Sequence, residues 1–344
     1  MNAFPQQSLD DASLDHDLHQ SAMLKLAEHF HSLATGASQV PSQSLDSHLK
    51  SQIDDPQVLE YHDRLLAGAG PLFSHFLASV PYVLEELSRI GVTLSRLVSA
   101  YPPRAGQRYS IFEVDAFDGS NGRALAGQSQ GLILSLTSSP NRANQIAFER
   151  YADPALSHFY PHSFFKMNTK LLQKPEYKAF SQGFDFIYEM AAFQFYNRNR
   201  AQQIAHIKRF LKPSGLAFFL EKLNHPDSEE YLRREKIKDE VFKTRYFKVE
   251  EIRWKRQQML VQMQNGQVTM EELVGALSAR FKHVHLLWNS SNFCEFVASD
   301  DEQRIERFLK LLGPVVQPPG FCFEGSRLGS VVLHGNQVEV PANV

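Results

Sequence analysis

Cysteine is scarce: Cys294 and Cys322 are the only two in 344 residues. A disulfide framework and a zinc site built from thiolates both need more, so a reducing cytoplasm is the expected setting. The chain also lacks an excess of charge of one sign, with 36 Lys+Arg against 38 Asp+Glu and a net charge of −2. That balance weighs against nucleic acid or an anionic membrane as partner. Apolar runs such as GLAFFL at 215–220 are far too short to cross a bilayer. The opening MNAFPQQSLDDASLDHD has neither the basic start nor the apolar core of a secretory signal. No GxSxG, HExxH, Walker A or CxxC pattern occurs, so serine-hydrolase, zinc-protease and kinase readings lack their basic parts. No internal repeat is visible.

What the chain has is phenylalanine, 26 residues of it, in a sequence that is 43% hydrophobic. Residues 1–20 read as a flexible or helical arm. Apolar residues at helical spacing over 21–35, 46–67 and 72–100 predict three to five helices, ended by Pro102-Pro103. From Tyr109 the pattern changes. Short apolar runs at 110–116, 131–137, 184–193 and 216–222 alternate with helical stretches, which predicts a mostly parallel sheet covered on both faces. KPSG at 212–215 reads as a helix stop and glycine turn. Residues 226–282 read as a helical insertion whose alternating charges predict a solvated face. Runs at 283–288 and 293–298 predict a hairpin with Asn289–Asn292 as its loop. The expected organisation is a helical cap over 1–103, a catalytic domain over 104–300 carrying that insertion, and a C-terminal wrap over 301–344.

The most informative stretch is IFEVDAFDGSNGRALA, 111–126. An apolar strand runs into an acidic, glycine-bearing turn and then a helix. Small residues there let a backbone approach a nucleotide, and the new helix N-terminus offers free N–H groups. An ordinary strand–helix turn capped by Asp118, with a tight Gly119, has the same spacing.

With the segments that follow, residues 109–222 and the hairpin at 283–298 resemble class I S-adenosylmethionine-dependent methyltransferases. FDFIYEMAAFQF resembles that family's fourth strand, and RAQQIAHIKRFLKPSGLAFFLE its next helix, glycine turn and fifth strand. The resemblance implies a Rossmann-like α/β sandwich with a seven-stranded sheet and S-adenosyl-L-methionine as cofactor. It places Glu113, Asp115, Phe117, Gly119, Gly122, Thr137 and Ser138 around that cofactor. Two departures stand out. The family's first two glycines fall on Asp115 and Phe117. The acid that usually meets the ribose at the end of the second strand is Thr137, beside Ser138 and Ser139; hydroxyls supply no anion.

Position along the sheet nominates Glu189, Tyr196 and Tyr160 as catalytic groups. It nominates His162, Gln194, Glu221 and Asn224 as acceptor-binding groups. A carboxylate or phenol at a strand end can hold a proton or face a cation. Arg233, Arg234 and Tyr246 are candidates to grip an acceptor carboxylate. His158 and His162 flank Pro161, which breaks the helix that metal binding at this spacing requires, so no metal is expected. His16, His19, His29 and His31 are expected on solvated helices. The leading expectation is methyl transfer to a small biosynthetic molecule under a mobile N-terminal lid. The alternatives are cyclisation of the cofactor to azetidine-2-carboxylate with release of methylthioadenosine, as in the azetidine-2-carboxylate synthases, and non-catalytic binding of an adenosyl ligand.

Overall fold

The computed structural model describes residues 21–38, 41, 43 and 45–324. The expected arm over 1–20, with His16 and His19, and the part of the C-terminal wrap beyond 324 lie outside the described residues. Seven strands form one sheet: β1 Tyr109–Val114, β2 Ile133–Ser138, β3 Ser157–Tyr160, β4 Phe184–Met190, β5 Leu211–Lys222, β6 His283–Ser290 and β7 Phe293–Ser299. Their spatial order is β3-β2-β1-β4-β5-β7-β6. β3 through β5 pair in parallel, and β7 runs antiparallel between β5 and β6. This is the α/β class and strand count that the resemblance implies.

Continuous apolar runs make these strands because both faces are covered. Along β5, Leu216, Phe218 and Leu220 point into one core while Ala217 and Phe219 point into the other. The helices from the start of the chain are α1 Ala27–Ala34, α2 Pro56–Gly68, α3 Pro71–Leu77 and α4 Val83–Ala100, and the last three close the first core. In α2, Asp55 accepts the Gln57 N–H and Pro56 takes the first turn, where no donor is missed. After β1 come α5 Ser120–Gln128, α6 Ala143–Tyr151, α7 Arg200–Lys208, α8 Ser228–Ile237, α9 Val249–Lys255, α10 Met270–Ser278 and α11 Glu302–Leu311.

Four expectations need correction. The cap boundary at 103 does not divide the packing, because Leu87, Ile90, Leu94 and Leu97 of α4 share one core with Ile111, Phe186 and Phe218 of the sheet. Among the described residues, α1 and the residues just before it stand apart, in a small cluster with Leu72 and Ala143. KPSG is not a turn between elements: it lies inside β5 as an irregularity, where register passes from Phe184↔Leu211 to Phe186↔Leu216. The hairpin loop shrinks to Ser291 and Asn292, with Ser291 left-handed at φ 58°. The charged stretch of the insertion is not a solvated face either: Arg234, Glu235, Lys238, Asp239 and Lys243 are buried.

Candidate functional site

Strand order reverses beside β1, which lies between β2 and β4. In open α/β sheets the crevice beyond the carboxyl ends at such a point is where ligands bind. Here that crevice holds a cavity of about 40 Å³, lined by Asp115 and Phe117 after β1, Ser139 after β2, and Met190 and Ala192 at the end of β4. A second cavity of about 360 Å³ adjoins it under α1, sharing Met23, Phe30, Pro140 and Asn141. A third, of about 100 Å³, lies on the other side and shares Phe30, Leu72, Phe117 and Phe195 with the first. Phe30 of α1 is common to all three.

The turn from β1 to α5 keeps a glycine-type backbone with few glycines. Asp115 (φ 48°) and Phe117 (φ 54°) are left-handed, as is Gly119 (φ 69°). For non-glycine residues that region costs about 1–2 kcal/mol each, and such strain concentrates at ligand sites. The surroundings hold it in place. Phe117 packs on Phe73 and Phe76, at ring distances of 5.8 and 4.8 Å. Asp115 is buried, and its carboxylate accepts hydrogen bonds from Ser138 Oγ (2.7 Å), the Phe164 N–H (2.8 Å), Ser163 Oγ (3.2 Å) and the Tyr196 hydroxyl. Burial pushes Asp115 up to about 6, with the Tyr196 hydroxyl opposing the rise. Tyr196 is driven up by burial and by that neighbouring carboxylate.

Glu113 lies beneath the turn. Its Oε2 accepts the Thr137 hydroxyl at 2.7 Å, and burial pushes the group up to about 7. A Cβ on Gly122 would lie 2.4 Å from the Glu113 carboxylate, and one on Gly119 would lie 2.5 Å from Thr137 Oγ1. Glu113, Thr137, Gly119 and Gly122 therefore lock the turn together and line none of the three cavities. Asp115 and Phe117 do reach the crevice, and Ser138 is bound to Asp115.

The groups expected to act on the acceptor separate in the fold. Tyr196 meets Asp115 and Ser163 but lines none of these three cavities, so it reaches the crevice through Asp115. Glu189 is turned away: its Oε1 accepts the N–H groups of Ala192 and Phe193. Burial, with the Glu221 carboxylate nearby, pushes Glu189 well above the usual carboxylate range. Glu221 is held by Arg200 through bonds of 2.6 and 3.1 Å. Gln194 lines the 100 Å³ cavity, whereas Asn224 lines a separate cavity of about 600 Å³ beside α10. Tyr160 donates to the Lys166 carbonyl (3.3 Å), and burial pushes it up to about 12.

The remaining nominations resolve the same way. His162 packs on the Tyr160 ring and His158 on Phe180, so the two imidazoles have different neighbours. Arg233 and Arg234 are committed to Glu230, and Arg234 also to Glu324, which leaves neither to grip an acceptor. Tyr246 donates to the Asp46 carbonyl. His29 is partly buried against Trp254, with ring centroids 5.2 Å apart. Sequence reasoning missed Ser163, Asn141 and Asn144 around the crevice. Position alone carries them, since none belongs to a recognisable pattern.

No family model matches the chain, and no curated protein is significantly similar to it. Solved structures that superpose on it include a plantazolicin methyltransferase in complex with SAH, at 11% identity and TM-score 0.44, covering 83% of this chain and 100% of that one. Another is the cyclopropane synthase MmaA2 of Mycobacterium tuberculosis, at 12% identity and TM-score 0.40, covering 86% of this chain and 81% of that one. A mitomycin 7-O-methyltransferase superposes at 13% identity and TM-score 0.38, covering 84% and 66%. At this distance the likeness assigns neither substrate nor site residues. Among the described residues, no helix is long and apolar enough to cross a membrane.

Proposed function

We propose that the chain is an S-adenosylmethionine-dependent enzyme that transfers a methyl group to a small molecule. One observation carries the reading: a cavity at the strand-order reversal, bordered by a left-handed turn and by the buried Asp115 carboxylate. The residues present suit such a ligand. The 40 and 360 Å³ cavities adjoin, and together they offer room on the scale of small-ligand sites, roughly 300–1,000 Å³. Ser139, Asn141 and Asn144 supply hydroxyl and amide groups for ribose hydroxyls in place of the missing acid. Ionised Asp115 offers a negative charge to an ammonium or sulfonium group.

When bound, S-adenosylmethionine supplies a methyl group already activated on sulfur, so the chain's work is positioning and desolvation. Phe30, Leu72, Phe117 and Phe195 keep the crevice apolar and exclude water. Tyr196 holds its proton toward Asp115 and fixes that carboxylate in place. Ligand entry then requires α1 to swing, because Phe30 borders every part of the crevice.

The test is incubation with S-adenosylmethionine, alone and with candidate acceptors, followed by mass spectrometry. S-adenosylhomocysteine formed only with an acceptor supports methyl transfer. Methylthioadenosine formed from the cofactor alone moves the reading to cyclisation. Binding with neither product moves it to a non-catalytic adenosyl-binding protein.

A further inference from the structure

The 100 Å³ cavity beyond Phe117 is lined by four lysines from three parts of the chain: Lys222 at the end of β5, Lys238 and Lys243 after α8, and Lys255 at the end of α9. Their relative exposures are 1%, 2%, 5% and 6%. Lysines are almost never this buried unless paired, and here the pairing falls short. Glu235 takes both Lys222 (2.9 Å) and Lys238 (2.6 Å), while Asp239 takes Lys243 (3.0 Å). Lys255 has no carboxylate within ion-pair distance among the described residues. Its Nζ lies 2.9 Å from the His75 ring and 3.6 Å from the centre of the Phe247 ring.

The charges that bear on Lys255 come from every side. Lys243 repels it, while Glu251 and Asp239 attract it more weakly. His75 is held neutral by burial and by Lys255. Burial and Lys243 together push Lys255 down to about 6. Lys222, Lys238 and Lys243 around two carboxylates leave a local excess of positive charge in a pocket otherwise walled by Phe76, Val80, Phe293 and Met263, and Lys255, largely uncharged near pH 7, can take up a proton there when an anion arrives. A buried unpaired ammonium costs several kcal/mol, and an anion delivered to it removes that cost.

The chemistry of the walls selects the anion. The volume admits only a few heavy atoms and most of the lining is apolar, which suits a small carboxylate on an apolar stem. A widened helical turn over Lys238–Phe242, a feature that recurs at functional sites, shapes this wall. We propose that the cavity is a carboxylate-binding site in which Lys255, with Lys243 beside it, takes the carboxylate of a ligand lying across the adjoining crevice. This rests on the reading of the crevice given above. Two carboxylates can reach the site past Phe117 and Phe195: that of the acceptor, or that of the cofactor's own aminobutyrate arm.

The test uses the full chain, titration calorimetry and four probes. S-adenosylhomocysteine carries the arm, and methylthioadenosine is the same nucleoside without it. Butyrate and butyramide differ only in charge. If the cofactor supplies the carboxylate, Lys255→Met weakens S-adenosylhomocysteine at least tenfold and methylthioadenosine less than twofold. If the acceptor supplies it, Lys255→Met leaves both nucleosides unchanged. It then abolishes an at least tenfold preference of the S-adenosylhomocysteine-loaded protein for butyrate over butyramide. Lys255→Arg, which keeps the charge, retains binding in either case. Should Lys255→Met fail to fold, the native protein still decides by its preference for butyrate and for the arm-bearing nucleoside. Equal affinities within both probe pairs, or preferences that survive Lys255→Met, overturn the proposal. A native protein that binds neither nucleoside refutes the functional reading instead, and butyrate against butyramide then judges the lysine site alone.

Discussion

Glu113 couples the turn between β1 and α5 to pH. Burial raises its carboxyl from 4.5 to about 7, although Thr137 hydrogen-bonds to it. Between those two values the folded chain holds a proton that the unfolded chain has released. The resulting stability is therefore complete below about pH 4.5 and is lost as pH rises through 7. Glu113→Gln keeps an acceptor for Thr137 and does not titrate. Urea unfolding should show the variant gaining on wild type by about 2–3 kcal/mol between pH 5 and pH 8, at about 1.4 kcal/mol per pKa unit. A difference that does not change with pH means that Glu113 stays ionised in the folded chain. At Tyr196 the proton can be tested apart from the ring. Tyr196→Phe keeps the edge contact with Phe165 and removes a donor from Asp115. Losing a hydrogen bond to the anion raises a carboxyl further. On the proposed function, an acid limb of kcat/KM set by Asp115, which burial pushes up to about 6, should move upward in this variant while turnover falls. A limb that stays in place shows that Tyr196 does not work through Asp115.

Among the elements, α1 and α4 both come from the N-terminal helices yet carry different burdens. α4 is built into the main core, and Leu94 is 1% exposed. Leu94→Ala should cost 2–5 kcal/mol in unfolding free energy, like other deletions of buried leucine. α1 touches the rest through a small cluster and places Phe30 over the crevice, 5.3 Å from the Phe195 ring. Phe30→Ala should lower turnover at least tenfold with a smaller loss of stability than Leu94→Ala; equal losses of stability would make α1 part of the core. The sequence showed both helices through apolar spacing, but not this difference, because a stripe marks a buried face without naming what buries it. β1, β2, β4 and the core of β5 were legible as continuous apolar runs. β3 was not, since SHFY is a short edge strand with a partly buried histidine. The turn at 115–119 could be read because glycine and acid at a strand end are local signals. The lysine pocket could not: Lys222, Lys238, Lys243 and Lys255 are spread over 34 positions, and local patterning cannot distinguish a charged face turned inward from a solvated one.

At the scale of the whole molecule, the crevice is bordered both by α1 and by the insertion, so a ligand filling it would alter the contact the two already make. The chain carries its own reporter of that motion. It has two tryptophans. Trp288 is buried in the main core, whereas Trp254 on α9 is 50% exposed and faces His29 of α1 at a ring distance of 5.2 Å. A swing of α1 changes the contact between His29 and Trp254 and the exposure of the indole, without touching the sheet. In a Trp288→Phe variant, where Trp254 alone emits, saturation with S-adenosylhomocysteine should shift the emission maximum or intensity. The same titration in the Trp288→Phe, Phe30→Ala double variant should give a smaller change, because the helix has lost the side chain that meets the ligand. The lid idea fails if calorimetry shows full binding and the Trp254 spectrum does not move. In that case ligand enters with α1 fixed in place.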